Sequence, residues 1–162
     1  MKQKKNPNKN PGILRGLAKK ESKGGPMVSL TTGIIETLSG LNDDTRGKPG
    51  KRQITIVAEE SWNASCEELG QELPWILRRA NLLISGIELK NTTDKLIHIN
   101  NIILQITGET APCHVMDKGY NGLQKALIPN WRGGVTCKVL RGGVLSVGDA
   151  VTIASGNHAS IE

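Results

Sequence analysis

The chain has 162 residues and a net charge of +6, and Ile, Leu and Val supply 41 of the positions, about a quarter and so above the roughly 20% below which chains stay disordered. That length suits one domain, and with no Phe, three Trp and one Tyr its core has to be aliphatic. No run approaches 18 apolar residues, which excludes a membrane-spanning helix, and 19 glycines argue for many tight turns over a helical bundle.

The charge is unevenly spread. Residues 1–26 hold eight cations and one anion (+7), and the other 136 hold 13 cations and 14 anions (−1). With Pro7, Pro11, Pro26 and four glycines, this segment reads as a basic, disordered tail. The domain is then 27–155, and 156–162 forms a C-terminal tail. The basic tail is also readable as an electrostatic arm for nucleic acid or anionic lipid. Few stacking aromatics and a near-neutral body weigh against nucleic acid. No apolar signal core or amphipathic anchor is visible, so no membrane association is expected.

Met27 to Leu38 is β-branched and loosely alternating, and reads as a strand. Leu41 to Gly50 is turn-rich and reads as a loop. Gln53 to Val57 alternates as a strand. Ser61 caps a helix that runs through Cys66 to Leu69 and stops at Gly70. Leu82 to Leu89 is a further strand. Leu96 to Thr107 is split into a hairpin at Asn100-Asn101. Gly122 to Leu127 is a short helix ending near Pro129. Val135 to Leu140 and Val144 to Val147 flank the turn Arg141-Gly142-Gly143, and Val151 to Ala154 closes the series. Seven or eight short strands with few short helices predict an all-β or β-rich fold, a closed or partly open barrel of about seven strands.

Cys66, Cys113 and Cys137 are odd in number and lack metal-finger spacing. A reduced, cytoplasmic protein without disulfides or structural zinc is expected. Cys113 is the most informative of the three. Pro112 fixes the backbone entering it and can start a helical turn, where the amide dipole favours a thiolate. His114 stands beside it. The plain alternative is a small buried apolar residue. Arg78-Arg79-Ala80-Asn81, at a strand start, can hold a phosphate or another oxyanion through bidentate guanidinium contacts, or can be a solvated surface pair. Trp131-Arg132-Gly133-Gly134 offers a weaker version, its glycines allowing close backbone approach.

In order, Lys51-Arg52-Gln53-Ile54-Thr55, Leu73-Pro74-Trp75 with Arg78-Arg79-Ala80-Asn81-Leu82-Leu83, Thr107-Gly108-Glu109 with Pro112-Cys113-His114-Val115-Met116-Asp117, Gly122-Leu123-Gln124, Trp131-Arg132-Gly133-Gly134-Val135 and Val147-Gly148-Asp149 resemble the MOSC domain. This family is named for the C-terminal domain of molybdenum cofactor sulfurase. The resemblance covers roughly 28–153.

It implies a pyruvate-kinase-barrel-like fold that binds the molybdenum cofactor (molybdopterin), a pterin dithiolene with a phosphate. Cys113 would be the catalytic residue, either carrying sulfur as a persulfide or ligating molybdenum as a thiolate, as in reductases of N-hydroxylated compounds. Arg79 and Asn81 match the segment beside the cofactor cleft, with Arg52, His114 and Arg132 as further cofactor-binding candidates. The implied partners are a molybdoenzyme, a cysteine desulfurase or a reductase. Many members carry a Gly-Asp-x-His type motif where this chain has Asp43-Asp44-Thr45-Arg46-Gly47, without His. No lysine is assignable to pyridoxal phosphate. A non-catalytic interaction domain on the same fold is the alternative.

Overall fold

The computed structural model describes residues 10–156. Its strands are β1 (Gly12–Lys20), β2 (Met27–Leu30), β3 (Thr32–Glu36), β4 (Gly40–Leu41), β5 (Ile54–Ala58), β6 (Leu82–Ser85), β7 (Leu96–Ile99), β8 (Ile102–Glu109), β9 (Val135–Arg141), β10 (Gly143–Ser146) and β11 (Ala150–Ala154). The helices are α1 (Glu59–Leu69), α2 (Val115–Gly119) and α3 (Leu123–Ala126), with 3₁₀ turns at Trp75–Arg78 and Pro129–Trp131.

Seven strands close a barrel in the order β1-β11-β7-β8-β9-β5-β6, and β6 returns to β1. The expected β-rich barrel with short helices is therefore observed. β2 pairs with the end of β1, on the same edge whose first residues pair with β11, and β10-β3-β4 form a small separate sheet. Every pairing is antiparallel except β5 with β6. A parallel pair needs a crossover, and α1 with the Trp75–Arg78 turn provides it. The site grows out of this crossover.

The barrel interior is aliphatic. Leu14, Leu17, Ile54, Ile56, Leu82, Ile84, Ile97, Ile99, Ile102, Leu104, Ile106 and Val151 are all buried. Helices α1, α2 and α3 make a second, smaller core outside the barrel wall from Trp62, Cys66, Met116, Leu123 and Leu127, with Trp75 and Tyr120 against them.

The largest correction concerns the basic tail. Residues 12–20 are not disordered but form β1, paired with β2, β6 and β11. Leu14 and Leu17 point into the core. Arg15 points outward and meets Glu59 at 3.3 Å, while the Lys19 ammonium donates to the Asn42 carbonyl at 2.9 Å. Gly16 leaves room for Trp75, whose Cζ2 would lie 2.8 Å from an added Cβ. The domain thus begins well before residue 27. Residues 1–9 of the proposed tail, and 157–162, lie outside the described residues.

Smaller corrections follow from turn chemistry. Met27 to Leu38 breaks at Thr31 into β2 and β3, and the strand begun at Leu82 ends at Ser85. Helix α1 starts at Glu59, with Ala58 as its cap residue and no side-chain cap; Gly70 ends it at φ 66° as expected. The Asn100-Asn101 hairpin is present, pairing Ile99 with Ile102, and Asn100 adopts φ 54°. Cys66, Cys113 and Cys137 are free, and no helix among the described residues is long and apolar enough to cross a membrane.

Candidate functional site

The loop after β8 carries Cys113. Thr110 is tied to β9's approach by its amide, which donates to the Gly134 carbonyl at 2.9 Å. Pro112 is buried and Cys113 is exposed. The Cys113 carbonyl accepts the Met116 amide at 3.0 Å, so a helical turn does begin there. Helix α2 has only five residues, and so short a helix supplies little dipole.

The guanidinium bonded to both flanks of this turn is that of Arg78, not that of its neighbour. The 3₁₀ turn ends with Arg79 at φ 63°, and this left-handed step sends adjacent guanidiniums to different places. Arg78 is 7% exposed. Its Nε donates to the Gly133 carbonyl at 2.7 Å. Its Nη2 donates to the Thr110 carbonyl at 3.2 Å and to Thr110 Oγ1 at 3.4 Å, and Nη1 to Met116 Sδ at 3.6 Å. No carboxylate pairs with it among the described residues. Burial pushes the guanidinium down to about 10, the Cys113 sulfur works in the opposite sense, and Arg46 and Arg52 push it down further.

Arg79 turns the other way, and its Nη2 donates to the Gly25 carbonyl at 2.7 Å. There it lines a cleft of about 570 Å³ with Lys20 of β1 and with Val115, Lys118 and Gly119 of α2. Every charged residue lining this cleft is a cation. Desolvation lowers the Lys20 ammonium from its ordinary value, and Arg46 and Arg79 lower it further. Helix α2, which follows the Cys113 turn, therefore borders a cavity lined with positive charge through Val115, Lys118 and Gly119.

Asn81 does not reach that cavity. It is buried, and its amide is fully used: Nδ2 donates to the Ala18 carbonyl and to Asp44 Oδ2, and Oδ1 accepts from the Thr55 amide and hydroxyl. Its place is structural, joining β1, β5 and the 42–47 loop. Asp44 is the centre of this knot. It also accepts the Lys20 amide at 2.7 Å and the Arg46 amide at 2.7 Å, and pairs with the Arg46 guanidinium at 2.9 Å. Burial acts to raise the Asp44 carboxyl, but the hydrogen bonds from Arg46 and from the Lys20 backbone outweigh it and hold it below its ordinary value. The stretch that lacks His is thus a buried aspartate clamp.

Arg52 is exposed just before β5 and acts on Arg78 through space. His114 is exposed at the start of α2, with no side-chain cap bond. Arg132 is committed elsewhere, pairing with Glu68 at 2.7 Å and donating to the Ala126 carbonyl at 2.8 Å. It lines a different cleft, with Ser61, Lys90 and Trp131. A larger cleft of about 1080 Å³ beside Cys66 is lined by Glu60, Glu67 and Glu72, which suits a cation better than an anion.

A sequence profile described as the MOSC domain matches residues 21–152. The chain belongs to the MOSC domain family. Solved structures agree on the fold. This MOSC domain is similar to the YuaD protein from Bacillus subtilis, at 21% identity and a TM-score of 0.74, over 89% of this chain and 96% of that one. It also resembles YiiM from Geobacillus stearothermophilus, at 15% identity and a TM-score of 0.64, over 91% and 75% of the two chains. YiiM from Escherichia coli shows 12% identity and a TM-score of 0.66, over 88% and 70%. No curated protein matches the chain. The profile starts after β1, yet β1 is a stave of the barrel.

Proposed function

We propose that this MOSC domain binds the molybdenum cofactor, with Cys113 as its sulfur carrier or as a thiolate ligand to molybdenum. The observation that carries the reading is an exposed sulfur on a turn whose two flanks, Thr110 and Met116, are both bonded by a buried guanidinium that has no carboxylate partner among the described residues. The adjoining cleft, lined by Lys20, Arg79 and Lys118, has the chemistry for a polyanion. Among the described residues no three His, Cys, Asp or Glu converge on a metal position. A molybdenum held here would bring its own dithiolene sulfurs and take one more from Cys113, a soft ligand matched to a soft site.

In this reading Lys20, Arg79 and Lys118 hold the cofactor's phosphate and the polar edge of its pterin. Arg52 adds positive charge from the loop before β5, and His114 is free to contact the ligand. Asn81 serves by fixing the strand that follows Arg79. Bound, the cofactor supplies two-electron redox chemistry. As a carrier, the Cys113 thiolate attacks the terminal sulfur of a persulfide on a donor protein, such as a cysteine desulfurase. A new S–S bond forms at Cys113, the donor's S–S bond breaks, and the donor cysteine leaves as a thiolate.

Reconstitution of the purified protein with cofactor, comparing wild type with Cys113→Ala, tests both roles. Molybdenum retention or persulfide labelling should disappear in the variant. If both are unchanged, neither role survives.

A further inference from the structure

We infer that Arg46 is the positioning residue for Arg79. It holds the left-handed main-chain step that aims Arg79 at the cleft, and does not itself meet the cleft's ligand. The inference rests on the reading of that cleft as a polyanion site.

The stretch Asp43-Asp44-Thr45-Arg46-Gly47, which has no His, carries a fork in its place. Asp44 Oδ1 accepts from Arg46 Nε at 2.9 Å, and Oδ2 accepts from Nη2 at 2.9 Å. Both carboxylate oxygens therefore fix the plane of one guanidinium. Nη1 is left pointing away from the pair, and it donates to the Arg79 carbonyl at 2.8 Å. Nη2 also reaches Met27 Sδ at 3.6 Å, and Met27 lines the cleft. Arg46 is not one of the cleft's lining residues. It acts on the main chain of one that is.

Arg79 needs such a hold. It sits at φ 63° and ψ 34°, a conformation unfavourable for any residue with a Cβ, and this step decides where its side chain goes. Its amide donates to the Ile76 carbonyl at 3.0 Å, and its Nη2 donates to the Gly25 carbonyl. The Arg46 bond to its carbonyl is the third point, and a return to right-handed backbone would break it. The same loop fixes Lys20, the next cation of the cleft. The Lys20 amide donates to Asp44 Oδ2 at 2.7 Å, and its carbonyl accepts the Thr45 amide at 3.0 Å. The loop is tied to the barrel in turn. Asn81 Nδ2 donates to Asp44 Oδ2 at 3.0 Å, and Gln53 Nε2 to the Gly47 carbonyl at 3.0 Å.

Like charges resist this grouping. Burial lowers the Lys20 ammonium, and Arg46 and Arg79 lower it further, so the cations repel one another. A loose frame would let them part. With both main chains fixed they stay converged, and less ordering is left for the moment of binding. The Arg46 charge is matched by Asp44, so its contribution to the cleft is placement.

The test uses the full chain without cofactor, and pyrophosphate as the probe. Affinity is measured by calorimetry at low salt in wild type, Arg46→Gln, Arg46→Lys, Arg79→Asn and the double variant Arg46→Gln/Arg79→Asn. Asn accepts a left-handed step, so Arg79→Asn removes the guanidinium and keeps the turn. It should weaken pyrophosphate about tenfold, through the loss of a charged donor. Arg46→Gln should weaken it about fivefold, and Arg46→Lys about as much, because an ammonium restores the charge but not the fork. The double variant should lie within about twofold of Arg79→Asn alone, since Arg46 works through Arg79. Losses that multiply in the double variant, or wild-type affinity in either Arg46 variant, would overturn the inference.

If the Arg46 variants do not fold, side-chain NMR of the wild-type arginines decides. Pyrophosphate should shift the Arg79 Nε resonance and leave that of Arg46 in place, with slow rotation of the Arg46 guanidinium before and after. Equal shifts at both arginines, or a freely rotating Arg46, refute the inference. A wild type that does not bind pyrophosphate would remove the polyanion reading of the cleft and the inference with it. Binding that falls in Arg79→Asn but ignores Arg46 would remove the inference alone.

Discussion

The barrel and the helical layer beside it are built on opposite logics. The barrel is aliphatic, closed on itself by seven strands, and fixed by many similar contacts. The helical layer is small, holds Trp62, Trp75, Tyr120 and Met116, and is fastened by individual polar links such as Arg78 to Thr110 and Gly133. Aliphatic packing is forgiving and gives stability. Polar links fail singly, and they give placement. The chemistry proposed for Cys113 therefore belongs to the helical layer and not to the barrel.

Four substitutions sharpen this contrast. The largest effect is expected at the exposed sulfur: Cys113→Ala should abolish persulfide labelling or molybdenum retention while the melting temperature stays unchanged. A parallel fall in melting temperature would show that placement and stability are not separable here. Next is the aspartate clamp. Asp44→Ala removes the buried carboxylate to which Lys20, Arg46 and Asn81 all donate, and should cost about 3–5 kcal/mol in urea unfolding because several donors lose their acceptor at once. Because the folded carboxyl lies below its ordinary value, its contribution is complete above about pH 4. It is lost as acidification carries the pH down through the folded value. Stability measured from pH 7 to 2 should fall more steeply in wild type than in Asp44→Ala.

In the barrel, Leu104→Ala leaves a cavity at a fully buried position and should cost about 2–5 kcal/mol. The alkylation rate of Cys113 should be unaffected as long as the protein is folded. A changed rate would mean that the barrel wall transmits strain to the cysteine turn. The smallest effect belongs to Arg132→Ala. Its pair with Glu68 is partly solvated and should contribute under about 1 kcal/mol, with no change in cofactor binding. A large loss of binding would return Arg132 to the site.

Local alternation made much of the barrel legible. Ile97, Ile99, Ile102, Leu104 and Ile106 gave the β7–β8 hairpin, and its Asn-Asn turn sits where the pattern breaks. β1 was hidden because its support is remote. Leu14 and Leu17 are too few to signal a strand alone, and the cations between and after them, Arg15 and Lys19, look like tail chemistry until Glu59 and the Asn42 carbonyl are found opposite. The parallel pairing of β5 and β6 was hidden for a related reason, since it depends on a crossover rather than a turn.

At the site, the Cys113 turn was readable from Pro112, and its exposure is now a fact. The division between Arg78 and Arg79 was not readable. It rests on one positive φ at Arg79, and a non-glycine residue gives little warning of that. In the sequence either arginine of the pair could have been the buried one. Asn81 reads as a cleft residue because an amide beside a cleft and an amide knotting two strands to a loop look alike in one dimension.

The barrel seam joins β1 to β11, pairing Gly12 with Val151 and Ile13 with Ala150. A chain made from its N-terminus onward must therefore carry the start of β1 unpaired on this edge until β11 has been made. Only when the last strand emerges does the cylinder shut, and this late, long-range step is the kind that slows folding and leaves unpaired edges open to other chains.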